Sequence, residues 1–476
     1  MRPRRENDEG NDIDVNSTKR KLTAREVAMD VLTRVEQEGA YSNLLLNQSL
    51  QKHQLERAEA GFATELVYGT IQRLNTIDYY LSSFVAKGLV KLQPWVRNLL
   101  RLSFYQIYYL DRIPPHAAVN EAVNLAKRKG HQGISGMVNG VLRNVLRNKE
   151  GLQIPENLNT VGRIALTYSH PEWMVERWVQ QYGEEATMAM CASNNEAPHV
   201  SVRVNAVKTD RASMLQDLEA SGLEAHASAL SPAGIVVDSG GNMALTEWFR
   251  SGRISIQDES SMLVAEALHP EAGMRVLDCC AAPGGKTAHI AELMGDQGAV
   301  IANDVHPHKQ KLITDQAARL GLKSIRTMVS DALTLSNQFE PESFDRILLD
   351  APCSGLGVIR RKPDLKWAKQ PGEVDEIVAL QTKLLDEVHS LLRPGGILVY
   401  STCTVEPEEN IRMVEQFLRN HPNFTWAAEN TASQAWRALY SGIRGESGGN
   451  DMSHIQILPQ DYHSDGFFIA RLVKTQ

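Results

Sequence analysis

The sequence predicts a multidomain chain with an all-helical front over residues 21–150, a small α/β module over 160–255 and a doubly wound α/β domain over 256–476. Three observations predict it. The stretch Val276–Thr287 reads Val-Leu-Asp-Cys-Cys-Ala-Ala-Pro-Gly-Gly-Lys-Thr. That is an apolar run, a Pro-Gly-Gly turn and then a helical pattern to about Met294, the opening of a nucleotide-binding α/β unit. From Arg275 onward, apolar runs alternate with helical segments at the spacing of a parallel sheet. Before Asn148, in contrast, the apolar residues recur with helical period alone.

Residues 1–20 are polar and charged with almost nothing apolar, which predicts a disordered tail. Thr23-Ala-Arg-Glu26 is a capping box that opens a helix with Val27, Val31, Leu32 and Val35 on one side. Periodic segments follow near Glu59–Arg73, Thr76–Val85, Trp95–Leu110 and Ala117–Lys129, and Pro115 suits a first helical turn. The last, Gly136–Arg147, turns Val138, Val141, Leu142, Val145 and Leu146 inward and Arg143 and Arg147 outward. Residues 150–165 read as a linker. A helix then starts at Ser169-His-Pro-Glu-Trp, with Trp173, Val175, Trp178 and Val179 as its stripe. Strands at Val200–Asn205 and Gly234–Asp238 flank a helix at Arg211–Ser221, and a helix at Met262–Leu268 abuts the glycine turn. In the last domain the candidate strands are Val276–Cys280, Ala299–Asn303, Ile325–Val329, Arg346–Asp350 and Ile397–Ser401. Helices fill the intervals near 307–320, 373–392 and 408–419. Ile455–Leu458 and Phe467–Val473 read as a terminal hairpin, and the Gly/Ser-rich Thr431–Met452 reads as a loop.

At 476 residues the chain is too long for one core, and 42% hydrophobic with 22% charged residues describes a soluble globular protein. The N-terminus lacks the apolar core of a signal peptide, and no apolar run reaches membrane-spanning length. Five cysteines, odd in number with Cys279 and Cys280 adjacent, do not make a disulfide framework; they fit a reducing cytoplasm and reactive thiols. No Cys-x-x-Cys or His-x-x-x-His pair suggests a metal. The net charge of −7 is uneven: Arg20–Glu150 holds 18 Lys/Arg against 11 Asp/Glu, about +7, which leaves about −14 elsewhere. A basic segment of this kind can present a phosphate-binding surface.

The glycine turn is not a phosphate loop of the Gly-x-x-x-x-Gly-Lys-Ser/Thr kind, because the first glycine of that spacing is missing. Its glycines let the backbone approach a ligand, and the following helix offers free N–H groups. Three acids then fall at successive strand tips. Asp304, 26 residues beyond Asp278, suits ribose hydroxyls; Asp331 suits an adenine amino group; Asp350 ends the fourth strand. Ligands bind at this edge of such sheets. Two cysteines sit just past neighbouring tips, in Leu349-Asp-Ala-Pro-Cys353-Ser-Gly and Tyr400-Ser-Thr-Cys403-Thr-Val.

In order, Asp-x-Cys-Ala-Ala-Pro-Gly-Gly-Lys-Thr, Asp-Ala-Pro-Cys-Ser and Ser-Thr-Cys-Thr resemble the motifs of the RNA cytosine-5 methyltransferases that use S-adenosylmethionine. Arg360-Arg-Lys-Pro-Asp-Leu-Lys-Trp367 and Asp465-Gly-Phe-Phe fit the same family. The helical front resembles the NusB family of RNA-binding domains through Arg-Glu-Val-Ala-Met-Asp-Val-Leu, Ala117-Ala-Val-Asn-Glu-Ala-Val and Val138-Asn-Gly-Val-Leu-Arg-Asn. Together they resemble the Sun/Fmu family over residues 20–476, with Asn303 before the ribose acid as a local departure.

The resemblance implies a Rossmann-like methyltransferase domain that modifies a cytosine of 16S ribosomal RNA in the cytoplasm. It implies S-adenosylmethionine held by Cys280, Ala281, Ala282, Pro283, Gly284, Gly285, Lys286, Asp304, Asp331 and Asp350. Cys403 would be the nucleophile, Cys353 would assist product release, Asp350 would meet the cytosine N3/N4 edge, and Lys286 would orient the target. Cytosine C5 is a poor nucleophile, and adding a thiolate at C6 makes C5 enamine-like. One thiolate is therefore mandatory, with a lowered pKa or a base nearby. RNA presents the target base splayed out; Lys127, Arg128, Lys129, Arg143 and Arg147 are the candidate phosphate contacts. No metal and no membrane is expected; protein partners and oligomeric state, a monomer included, are not readable from the residues. Two rival readings remain. An amino-methyltransferase would carry Asn/Asp-Pro-Pro-aromatic where Asp-Ala-Pro-Cys stands. A non-catalytic RNA-binding assembly or antitermination factor would have lost a cysteine or the Pro283-Gly-Gly turn.

Overall fold

A computed structural model describes residues 21–238, 241–428, 431–444 and 453–475. The chain divides into two compact units, one of residues up to Ile71 together with Ile77–Leu152, the other of Gln72–Thr76 and Gln153 onward. The charged tail over residues 1–20 lies outside the described residues.

The first unit is helical: α1 (Ala24–Glu38), α2 (Ser42–His53), α3 (Arg57–Gln72), α4 (Leu74–Ser82), α5 (Pro94–Tyr109), α6 (Pro115–Lys129) and α7 (Gln132–Asn148). The capping box forms, with the Thr23 side chain accepting from the Glu26 N–H and Glu26 accepting from the Thr23 N–H. Pro115 occupies the first turn of α6, where its missing N–H is harmless. The Val138, Val141, Leu142 and Val145 face of α7 is buried. Arg101 grips Asp78 through two nitrogens at 2.6 and 2.7 Å.

The second unit opens with α8 (Thr160–Thr167) and α9 (Glu172–Ser193), the latter kinked at Gly183. The linker expected over 150–165 is thus cut short. Asn159 caps α8 by accepting from the Gly162 N–H at 2.7 Å, and Ile164 and Ala165 are buried. A four-stranded antiparallel sheet follows, built from β1 (Val200–Val204), β2 (Ala225–Ala227), β3 (Gly234–Val237) and β4 (Ile254–Ile256) in the order β2-β3-β1-β4. Helices α10 (Arg211–Ala220) and α11 (Glu247–Arg250) belong to this module, and α12 (Glu259–Leu268) leads out of it.

The large sheet comprises β5 (Arg275–Asp278), β6 (Ala299–Asp304), β7 (Ile325–Val329), β8 (Phe344–Asp350), β9 (Leu392–Thr402), β10 (Phe424–Trp426), β11 (His454–Ile457) and β12 (Phe467–Lys474). Its order is β10-β12-β9-β8-β5-β6-β7, with β11 also paired to β12. Strands β5 to β9 run parallel, and the expected terminal hairpin β11–β12 adds antiparallel to β9. The connecting helices are α13 (Gly285–Leu293), α14 (Pro307–Leu320), α15 (Leu365–Ala368), α16 (Pro371–Val388), α17 (Ile411–Asn420) and α18 (Gln434–Arg444). Both faces of the sheet are covered by apolar cores, as continuous Val/Ile/Leu strands require. Helix α18 corrects the loop expected over Thr431–Met452: Trp436 and Tyr440, one turn apart, are buried in the core beside Ala432. The rest of that segment, 445–452, lies outside the described residues.

The strand order reverses between β5 and β8. From β5 the chain builds outward through β6 and β7, and then returns to add β8 and β9 on the other side. Such a reversal leaves a crevice at the carboxyl ends of the two central strands, which here end in Asp278 and Asp350.

Candidate active site

The glycine turn closes that crevice. After β5, the Cys279 N–H donates to the Leu348 carbonyl at 3.0 Å and the Ala281 N–H to the Asn303 carbonyl at 2.7 Å. The Ala282–Pro283 peptide is cis, and Gly284 sits at φ +102°. A Cβ at Gly284 would lie 3.2 Å from the Ile313 Cα of α14, so only glycine meets both demands. Asn303 ties the tips of three strands together. Its Nδ2 donates to the Cys279 carbonyl at 3.0 Å and to the Ser330 carbonyl at 3.1 Å.

The turn lines a cleft of about 160 Å³ whose walls are Ile256, Gln257, Ser261, Asp278, Cys280, Ala281, Ala282, Pro283, Gly285, Lys286 and Asp350. Asp278 is buried. Its Oδ2 accepts from the Thr287 hydroxyl at 2.6 Å, while Oδ1 has no hydrogen-bond partner. Burial pushes this carboxyl up to about 7, and Thr287 opposes the shift. A buried, unpaired carboxylate oxygen at a cleft wall calls for a donor or a cation. Asp304 and Asp331 stand at the neighbouring tips of β6 and β7 but not in that wall. Each also serves its own turn, Asp304 accepting from the His306 N–H and Asp331 from the Leu333 N–H, both at 3.0 Å.

At the other end of the cleft, Lys286 Nζ reaches Asp350 Oδ2 at 2.7 Å, and Asp350 Oδ1 accepts from the Ser401 hydroxyl at 2.8 Å. Burial works against the ammonium, yet Asp350 more than offsets it and holds Lys286 above its ordinary range. The sulfurs of Cys353 and Cys403 stand 3.3 Å apart, both half-buried. Their proton affinities diverge. The hydrogen bond between them and burial push the Cys353 thiol well up. Cys403 is lowered, first by the Cys353 hydrogen bond and then by Lys286 and Lys362, against burial and Asp350. Of the two, Cys403 is the more readily ionised and Cys353 holds its proton more tightly. The remaining cysteines are inert: burial raises Cys191, Cys279 and Cys280 alike.

The loop behind Cys403 is fastened by polar residues. Glu406 receives two nitrogens of Arg177 at 2.6 and 2.9 Å and the Trp178 indole at 3.0 Å. Arg361 forks to Asp258 at 2.6 Å and Asp465 at 2.8 Å, and burial pushes Asp465 up to about 7. Fully buried Arg203 on β1 pairs with Glu292 through two 2.9 Å bonds, donates to the Gly285 carbonyl at 2.9 Å and contacts Gln257. The turn is thus braced from the small module. Sequence reasoning assigned no role to Asp278, Gln257, Ser261 or Arg203. Only Asp278 carried a signal, as the first residue of the glycine-turn motif. Among the described residues no His/Cys/Asp/Glu group could hold a metal. No helix among them is long and apolar enough to cross a membrane.

The five cations singled out for phosphate are all exposed. Lys127, Arg128 and Lys129 form the last turn of α6, and Arg143 and Arg147 lie on α7. Arg128 and Lys129 are engaged in ion pairs with Glu26 at 3.2 Å and Asp30 at 2.5 Å.

Comparison with known proteins agrees with this architecture. Residues 265–473 match the family described as 16S rRNA methyltransferase RsmB/F, residues 22–147 the NusB family, and residues 170–244 the ferredoxin-like domain of the RsmF/B-like methyltransferases. The chain is 44% identical over 458 residues to the probable ribosomal RNA small subunit methyltransferase B of Bacillus subtilis, covering 96% of this chain and 99% of that one. This chain belongs to the 16S rRNA methyltransferase RsmB/F family. A Synechocystis relative of the same name is 37% identical over 95% of this chain and 100% of its own length. The crystal structure of PH0851 superposes with a TM-score of 0.78 at 27% identity, covering 96% of this chain and all of that one. The chain thus joins a NusB-like helical domain, a ferredoxin-like module and a Rossmann-like methyltransferase domain.

Proposed function

We propose that this protein transfers a methyl group from S-adenosylmethionine to C5 of a cytosine in 16S ribosomal RNA through a covalent bond between Cys403 Sγ and C6 of the base. The observation that carries the reading is the Cys353–Cys403 pair, 3.3 Å apart with opposed proton affinities, next to Lys286 and Asp350. The names of the relatives support ribosomal RNA as substrate.

The cleft suits the cofactor on its own chemistry. Asp278 Oδ1, buried and unpartnered, matches a cationic amino group, and the Cys280–Gly285 turn presents a close backbone wall. Asp304 and Asp331 stand at the tips where ribose and adenine of a nucleoside would lie. When bound, S-adenosylmethionine supplies a methyl group on a positively charged sulfur.

The residues then divide the work. Cys403, the more readily ionised of the two thiols, adds as its thiolate to C6 and shifts electron density toward C5. Asp350, fixed by Lys286 and Ser401, meets the N3/N4 edge of the ring, and Lys286 balances charge beside it. Once C5 carries the methyl group, its proton passes to solvent water, the C–H electron pair restores the C5–C6 double bond, and the C6–sulfur bond breaks with Cys403 leaving as thiolate. Cys353, which holds its proton tightly, assists that release by donating a hydrogen bond to the departing sulfur. Lys127, Arg128, Lys129, Arg143 and Arg147 neutralise phosphates, with the helical domain and the ferredoxin-like module holding a strand whose target base is splayed out.

The test is transfer of labelled methyl groups to purified small-subunit ribosomal RNA. Cys403→Ala abolishes transfer, and Cys353→Ala accumulates a protein–RNA adduct that survives denaturation. Label on an exocyclic nitrogen, or turnover by Cys403→Ala, would overturn the reading.

A further inference from the structure

The two sulfurs belong to different loops, so something must hold them in register. Cys353 lies on the turn after β8, and Cys403 just beyond the end of β9. Behind this pair sits Glu409, completely buried at the end of the Cys403 loop. Its Oε2 accepts from the Ser354 N–H at 2.9 Å and from Gln381 Nε2 at 3.0 Å. Gln381, equally buried on α16, donates from the same nitrogen to the Pro352 carbonyl at 2.9 Å. The two residues thus grip the peptide on either side of Cys353. The grip is tied back to the other loop: the Tyr400 hydroxyl donates to the Glu409 carbonyl at 2.7 Å, and the Ser354 and Thr404 hydroxyls meet at 2.7 Å. A carboxylate in a fully buried place is costly unless its site needs it, and here one oxygen takes both hydrogen bonds while Oε1 has no partner.

We propose that Glu409, with Gln381, is a positioning residue that sets the Cys353–Cys403 separation, holding the two sulfurs within hydrogen-bond distance and Cys353 in reach of the adduct. This rests on the reading of the two cysteines given above. Glu409 acts through the backbone of Pro352 and Ser354. The groups that act on Cys403 itself are Cys353, Asp350, Lys286 and Lys362. Releasing the turn withdraws only the first of these.

The test uses the full-length protein and a readout that needs no RNA: the rate of Cys403 alkylation by iodoacetamide against pH, resolved by mass spectrometry. Glu409→Ala raises the Cys403 midpoint by about one pH unit, a tenfold loss of thiolate at fixed pH, as expected on losing a hydrogen bond to a charged group. Glu409→Gln keeps the accepting oxygen and retains the wild-type midpoint. Gln381→Ala, which leaves Glu409 in place, moves the midpoint in the same direction and serves if Glu409→Ala does not fold. In the presence of ribosomal RNA and S-adenosylmethionine, Glu409→Ala accumulates denaturation-resistant adduct and Glu409→Gln does not. An unshifted midpoint in both folded alanine variants overturns the proposal. So does an equal shift in Glu409→Gln, which would make charge rather than position the cause. If Cys353→Ala traps no adduct, the catalytic reading fails, whereas the alkylation midpoints still decide the positioning role.

Discussion

On the proposed function, the buried carboxyl of Asp278 makes cofactor affinity depend on pH in a defined direction. Its ordinary value is 3.8, and burial pushes it up to about 7 in the free protein. A cationic group bound at the unpartnered Oδ1 favours the carboxylate, so binding must expel a proton wherever the free protein holds one. Above pH 7 nothing is expelled and affinity is level. Below it, Kd rises about tenfold per pH unit, to roughly tenfold weaker at pH 6 and a hundredfold at pH 5. The same shift fixes a stability trend. Between about pH 4 and 7 the folded state holds a proton that the unfolded state has lost, so the unfolding free energy falls as pH rises, by about 1.4 kcal/mol per unit. That sign is opposite to the usual behaviour of a salt-bridged carboxylate. Isothermal titration of S-adenosylmethionine from pH 5 to 8, in buffers of different ionisation enthalpy, reads both affinity and proton release. Near pH 6 about one proton leaves, and Asp278→Asn removes the release along with the slope. A flat Kd over this range, or proton release that persists in Asp278→Asn, refutes the reasoning.

Three further outcomes follow from individual side chains. Gly284→Ala forces a side chain into φ +102° and against Ile313, so it destabilises the turn by about 1–2 kcal/mol in chemical denaturation and weakens cofactor binding. Arg203→Met strands Glu292 in the core and costs about 3–5 kcal/mol, whereas Arg203→Met with Glu292→Met recovers most of that loss. Cofactor affinity stays low in the double variant because the Gly285 carbonyl has lost its brace, and thermal melting beside titration separates the two effects. Arg143→Ala with Arg147→Ala weakens RNA binding across sequences and flattens the salt dependence by about one for each phosphate no longer neutralised, as read from filter binding at several salt concentrations.

Much of this was legible in the residues. Buried parallel strands are written as short apolar runs, so β5 to β9 are found near their true places, and the acids and cysteines at their tips follow from the alternation. Helix α18 was not legible, because glycine and serine around Trp436 and Tyr440 hide a buried face of only two large rings. Helix α8 was hidden for a similar reason, being eight residues long and too short to show a period. The supporting polar residues were the least visible. Arg203 and Glu409 read as ordinary surface charges in a sequence, since nothing local reveals that Glu292 lies 89 positions away from Arg203, or Ser354 55 from Glu409. Burial of a charge is a property of its partners, and those partners are distant in the chain.

The difference between the two cysteines also belongs to their surroundings. As isolated side chains they are identical, and two thiolates 3.3 Å apart would repel too strongly to coexist, so ionisation of one opposes ionisation of the other. Which sulfur ionises first depends on which faces more positive charge. Lys286 and Lys362 act on Cys403, whereas Glu409 and Asp350 act on Cys353, and Asp350 opposes ionisation of both. Cys403 is therefore the sulfur that ionises first, and Cys353 the one that keeps its proton. On the proposed function, a hydrogen bond from Cys353 favours the ionised form of Cys403. The same bond is lost once Cys403 sulfur becomes attached to carbon, which frees the Cys353 thiol at the stage when an adduct has to be taken apart.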